Sequence, residues 1–190
     1  LRRQYLPDDV FEQAVSLRNL GDAYLGDGDH DHARRNYEQA IAAFKKVDIT
    51  DQVQAIDALV ASIGLARALN AQAQYAAALR TVDDATAFAD RQGLAADWDG
   101  RAVLLSLKAT AQKPLGDAVG ALASFRQATD IAGRIYGVDN PALVNGHIGI
   151  GGALNDLGRP REALEAYARA ERIIAGKAVQ PCTEARIHAG

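Results

Sequence analysis

Leu17-Arg18-Asn19-Leu20-Gly21-Asp22-Ala23-Tyr24, followed by Ala33, Tyr37 and Ala40, is the stretch on which the fold turns. Leu17, Leu20, Gly21 and Tyr24 recur at three- and four-residue spacing, which places them on one face of a helix. Gly26-Asp27-Gly28-Asp29 interrupts the period as a turn does. Ala33, Tyr37 and Ala40 resume it on a second helix. Gly21 and Ala33 lack bulk, so the two helix backbones can approach closely there. The stretch reads as a helical hairpin.

The same series returns along the chain. A second copy holds Leu65-Ala66 and Leu69, then Ala78, Val82 and Ala85; a later one holds Ile150-Gly151 and Leu154, then Ala163, Tyr167 and Ala170. In each, a small residue falls twelve before the anchoring alanine, an aromatic or Val four after it, and a second alanine seven after it. Between them lies a degenerate copy: Ala109, Ala121, Phe125 and Ala128 are in place, but Lys108 and Gln112 stand where the others carry apolar residues. Pro114 should end its first helix early, so irregularity is expected near 108–116, as loose packing or a shifted helix. The repeats fall at about 9–47, 52–92, 97–135 and 140–177 in one array over 1–190, with 1–6 and 181–190 as remnants of flanking repeats. Pro7-Asp8-Asp9 should open the first helix, and Pro181 with a Thr183 cap should start another.

A Leu-Gly, Tyr, Ala, Tyr/Phe, Ala series in this order resembles the tetratricopeptide repeat (TPR). The anchoring alanines Ala33, Ala78, Ala121 and Ala163 step by 45, 43 and 42 residues, longer than the usual period. That length, and the phrase Tyr136-Gly137-Val138-Asp139-Asn140-Pro141 between hairpins, resembles the kinesin-light-chain variety. The resemblance implies an all-α, right-handed α-solenoid of about four stacked antiparallel helical hairpins, a TPR superhelix stable only because neighbours stack. It also implies a protein-binding role without catalysis, in a piece of a bacterial multidomain protein. The absence of methionine and the opening Leu agree with a piece of a longer chain.

Composition narrows the remaining classes. The chain has a net charge of −3 and no Lys/Arg stripe, against a nucleic-acid partner. No apolar run approaches the roughly 18 residues that cross a bilayer, so no membrane partner is expected. A single cysteine, Cys182, can form no internal disulfide and suits a reducing, cytoplasmic setting.

Several segments invite a chemical reading. Asp27, Asp29, Asp31 and Glu38 have the spacing of a calcium loop, but His32 occupies the place that needs Gly. The plainer reading is a turn in which Asp29 or Asp31 caps the second helix. His147 reads as a packed, partly buried histidine, and no histidine has a nucleophile or carboxylate partner that spacing identifies. Gly146, Gly149, Gly151 and Gly152 follow no strand and have no phosphate-loop Lys; close helix packing, or room for a ligand backbone, would explain them. No catalytic residue, metal or cofactor is expected.

In stacked hairpins of this family the first helices line a concave groove where partner segments lie. The register assigns to it Asn19, Asp22, Ile63, Arg67, Asn70, Leu107, Thr110, Asn145, Ile148 and Asn155. Asparagine amides can both donate to and accept from an extended backbone, and the apolar members would supply side-chain pockets. The two-carboxylate clamp by which some relatives hold heat-shock chaperones is absent: Arg18 matches it, but Asp22, Gly64, Val103 and Leu107 replace its other members. The expected function is a scaffold holding a peptide segment of a partner, with a ligand- or peptide-sensing regulatory module or a self-associating, homo-oligomeric module as alternatives.

Overall fold

A computed structural model of the chain describes residues 7–95 and 98–187, the side chains of 7–9 and 177–187 excepted. The described residues are helical, with no strand among them. The chain divides between Ala96 and Asp97 into two compact units. In the first, α1 (Pro7–Gly26) pairs with α2 (His30–Phe44), and α3 (Gln52–Ala71) with α4 (Tyr75–Arg91). In the second, α5 (Asp99–Gln112) pairs with α6 (Ala118–Tyr136); a 3₁₀ turn at Pro141–Leu143 leads into α7 (Val144–Asp156), which pairs with α8 (Pro160–Ile187). These are the hairpins that the repeat spacing predicts.

Every hairpin turns in the same way. The residue five before each anchoring alanine has positive φ: Gly28, Ala73, Gly116 and Gly158. The next backbone N–H reaches back to a carbonyl of the last helical turn, as in Gln74 to Leu69 (2.8 Å) and Asp117 to Gln112 (3.0 Å). This is a Schellman closure, which favours a left-handed residue without Cβ. Ala73 adopts φ +57° with its Cβ in place.

Tyr37 organises the first unit. Its side chain is fully buried, and a Cβ on Gly21 of α1 would stand 2.7 Å from its ring. A Cβ on Gly64 of α3 would fall inside the same ring. The ring therefore fills notches on its own hairpin partner and on the next hairpin's first helix. The second unit repeats the device. Phe125 of α6 lies against Gly149 of α7, and Tyr167 of α8 against Gly151 of α7. Ala109, Ala121, Phe125, Ala153, Leu154 and Ala163 form the core around them.

The degenerate third hairpin is closely packed rather than loose. Helix α5 runs through Lys108 and stops at Gln112, before Pro114. Gln112 is buried, and its amide is bonded at both ends: Ser124 Oγ donates to its Oε1 (2.9 Å), and its Nε2 donates to Asp117 (2.8 Å). Asp117 also accepts from the Gly120 backbone, capping α6. A paired amide replaces an apolar contact without leaving a buried polar atom unmet.

Two expectations need correction. Helix α8 continues through Pro181 to Ile187 where a new helix was expected; an interior proline removes a backbone donor and crowds the carbonyl four residues back, which can kink a helix without ending it. The Thr183 cap lies outside the described side chains. Helix α3, taken whole, has the length and mean hydropathy (1.2) of a membrane-crossing helix, although Asp57 and Arg67 break its apolar sequence. Half of that window is buried inside the protein, and the helix packs against α2 and α4. The remnant at 1–6 lies outside the described residues, as does any cap by Asp8 or Asp9; α1 itself begins at Pro7, where a proline suits the first turn.

Two substitutions test this account by chemical denaturation. Gly64→Ala drives a methyl group into the Tyr37 ring and should cost about 1–3 kcal/mol, whereas Gly26→Ala, whose Cβ would meet nothing within 4 Å, should change stability by less than about 0.5 kcal/mol. Ala73→Gly relieves the left-handed strain at the second turn. It should stabilise the chain by about 0.5–1 kcal/mol, the gain being reduced by the extra freedom of glycine in the unfolded state.

Candidate functional site

The first helices of the hairpins carry the residues assigned to a binding face, and each unit holds its own set. In the first unit α1 and α3 lie side by side. Arg18 Nη1 meets Asp57 Oδ1 at 3.0 Å across them, and Arg18 Nη2 donates to Asn19 Oδ1 (2.9 Å). Asp22 is exposed, yet its Oδ1 accepts a 2.6 Å bond from the Tyr37 hydroxyl. Burial, and then Asp22 as acceptor, push the Tyr37 phenol well above its usual range, so it stays protonated as a donor. The Arg67 and Arg18 charges act on the same phenol in the opposite sense. Asn70 is half-buried.

Ile63 does not belong to an accessible face. It is 8% exposed, because α3 carries apolar residues around most of its circumference and several of its faces turn inward. The rest of this set forms a polar surface of alternating sign. Asp57 was absent from the assignment; its one available signal was opposite charge to Arg18 on the neighbouring first helix.

In the second unit Thr110, Asn145, Ile148 and Asn155 are exposed, and Leu107 is half-buried. Thr110 Oγ1 donates to the Ser106 carbonyl one turn back (2.8 Å), and Asn155 Nδ2 donates to the Tyr167 hydroxyl (3.3 Å). Ile148 has 47% of its surface exposed. The helix beside it is narrow, because Gly149 and Gly152 carry no side chain. Lys113, at the end of α5, reaches over Gly152 and pairs with Asp156 at 3.4 Å. Close helix packing accounts for Gly146, Gly149 and Gly151, which lie against Thr129, Phe125 and Tyr167.

The Asp27–His32 segment is a turn and cap. Asp29 Oδ1 accepts from the His32 backbone N–H (3.1 Å), and its Oδ2 lies 2.7 Å from His32 Nδ1. The His32 ring stacks on Tyr24 with centroids 5.0 Å apart, and Asp31 accepts from Gln72 (2.7 Å). The carboxylates are thus engaged separately, and among the described residues no three His, Cys, Asp or Glu side chains gather to hold a metal. What the first-helix faces can do is recognise: amides, a cation–carboxylate pair and an exposed branched apolar side chain, held on rigid helices.

Two family models match the chain, both described as tetratricopeptide repeat, one over residues 13–47 and the other over 100–174. No curated protein matches it in sequence. Similar solved structures include the apo form of RapI, with 12% identity, a TM-score of 0.76, and coverage of 88% of this chain and 58% of that one. A Rap protein complexed with competence and sporulation factor has 18% identity and a TM-score of 0.72, over 87% of this chain and 43% of that one. The nearly identical kinesin-light-chain TPR-like repeats of Podosopora anserina have 21% identity and a TM-score of 0.69, over 86% of this chain and 74% of that one. At these identities the likeness is one of fold. The chain spans about half the length of the two Rap structures.

His147 gives the second unit a pH signature. Partial burial, then Arg169 and Arg172, hold its pKa below the ordinary 6.5, so folding favours the neutral ring. Between the folded and unfolded values the unfolded chain binds more protons. The stabilisation from keeping His147 neutral is therefore complete above about pH 6.5 and is lost as pH falls through the folded value. Thermal unfolding at about pH 7.5 and about pH 5.5 should show a smaller acid loss in His147→Gln than in the wild type.

Proposed function

The chain is a tetratricopeptide-repeat protein, and from that premise we propose that it is a protein-interaction module whose first-helix faces hold an extended segment of a partner. The observation that carries the reading is Ile148. A half-exposed branched side chain stands on the same helix as the exposed amides of Asn145 and Asn155. Apolar side chains exposed on a rigid surface favour a partner that covers them. The amides can bond to a backbone whatever its sequence, while Arg67 and the Arg18–Asp57 pair add charge selection on the first unit's face.

A second reading is a sensing module, favoured by the Rap protein that was solved with competence and sporulation factor bound. Both readings use recognition rather than catalysis, and both suit a regulatory part of a larger bacterial protein.

Selection of peptides from a random extended library, followed by fluorescence anisotropy, tests the reading. Ile148→Glu should weaken the selected peptides by about tenfold or more, because it places a charge where an apolar contact is made. Arg80→Glu, on the second-helix side, should leave them unchanged. Peptides that bind Ile148→Glu as tightly as the wild type, with its helical circular dichroism intact, would move recognition away from this face.

A further inference from the structure

A cleft of about 370 Å³ lies on the other side of the second unit, between α6, the 3₁₀ turn, α7 and α8. It uses none of the residues assigned to the first-helix binding face. Arg126 and Arg134 line it from α6 and Arg169 from α8, against one lining carboxylate, Asp130. Arg126, Asp130 and Arg134 recur every four residues, so one face of α6 is turned into the cleft. Arg134 pairs with Asp130 (2.8 Å), and Arg169 donates to Asp139 (3.2 Å) and to the Val138 carbonyl (3.4 Å). Arg126 forms no ion pair among the described residues; the nearby Glu162 is held by Arg159 through two 2.6 Å bonds. His147 lines it with Leu143 and Ile150, where burial first, and then the charges of Arg169 and Arg172, lower its pKa.

The repeat supplies an internal control. The first unit has a cleft of about 470 Å³ at the corresponding place, between α2, α3 and α4. Counted from the anchoring alanines, its Ile41, Ser62, Leu65 and Asp84 occupy the positions of Thr129, His147, Ile150 and Arg169. The position of Arg126 is Glu38. Phe44 and Phe88 wall that cleft, and Lys45 and Arg91 line it at other positions. The fold therefore accepts carboxylates where the second unit carries two of its guanidiniums, and helix packing does not require the arginines.

We propose that the α6–α7–α8 cleft is a binding site for a small phosphate monoester, its anionic head held by Arg126 with Arg134 and Arg169 beside it and its organic body resting on Leu143 and Ile150. Asp130 on Arg134 and Asp139 on Arg169 offset two of the three guanidiniums, so the cleft carries an excess of one positive charge, on Arg126, which suits an anionic head. Guanidinium forks bind phosphate oxygens in pairs, and a cleft of this volume takes a small molecule.

The probe is phenyl phosphate, with inorganic phosphate and phenol as its two halves, added at constant ionic strength to the full chain. Resonances of the His147 ring and the Arg126 side-chain N–H should follow a saturating curve with phenyl phosphate, a weaker one with inorganic phosphate, and none with phenol. Arg126→Glu with Arg169→Asp gives the cleft the residues its counterpart already tolerates. It should weaken phenyl phosphate by about tenfold or more while helical circular dichroism is retained. If that variant fails to fold, Arg126→Gln alone should still weaken binding severalfold. Linear, unsaturated shifts, equal affinity for phenyl and inorganic phosphate, or unchanged affinity in a folded variant would overturn the proposal.

Discussion

An aromatic ring set into glycine notches is the contact on which each unit depends. Tyr37 projects from a second helix towards two first helices, and both give way to it: Gly21 within its own hairpin and Gly64 in the next. Ring and notch hold each other in place. A residue with a Cβ at either glycine must displace the ring or the helix, and a smaller residue at 37 would leave a void that lined side chains cannot fill. In the second unit Phe125 and Gly149 form the contact between successive hairpins, and Tyr167 and Gly151 the contact within one. Glycine inside a helix costs about 1 kcal/mol in propensity, which offsets part of what the packed ring contributes. The arrangement persists because stacking hairpins must bring backbones close at fixed points along the repeat.

That geometric demand is why the hairpins were legible from spacing alone. Small residues twelve before an alanine and aromatics four after it are what a ring-in-notch contact leaves in sequence. Features not governed by the notch were less visible. Gln112 looked like a defect in an apolar period, because its partner Ser124 lies on another helix. Ala73 lacks the glycine that marks the other three turns, and only its offset from Ala78 reveals the left-handed position. Pro181 looked like a stop, yet α8 passes through it.

The binding face was legible as register and not as chemistry. Register placed Asp22, Arg67, Thr110, Asn145, Ile148 and Asn155 at exposed positions, but it could not show that Asp22 is held by the Tyr37 hydroxyl or that Asn155 reaches Tyr167. Both bonds join a first-helix side chain to a buried or half-buried ring. The surface offered to a partner is thus continuous with the packing that builds the hairpin. Ile63 shows the limit of a period-based assignment: α3 is apolar on too many sides for its inner face to be told from its outer one.

Because the notch fixes the hairpins, the remaining positions are free to differ between repeats. The two clefts on the second-helix side show how far that freedom extends. They occupy corresponding places and share the apolar floor position filled by Leu65 or Ile150, yet one has Phe44 and Phe88 in its walls, with Lys45 and Arg91 beside them, and the other has three arginines. A charge reversal from Glu38 and Asp84 to Arg126 and Arg169 leaves the ring contacts unaffected, since none of these four side chains enters a notch. Side chains that the scaffold does not require, and that change sign between equivalent places, are where selection for binding can act without a stability cost. In a repeat protein, comparison of one copy with the next therefore separates residues that hold the fold from residues that face a ligand.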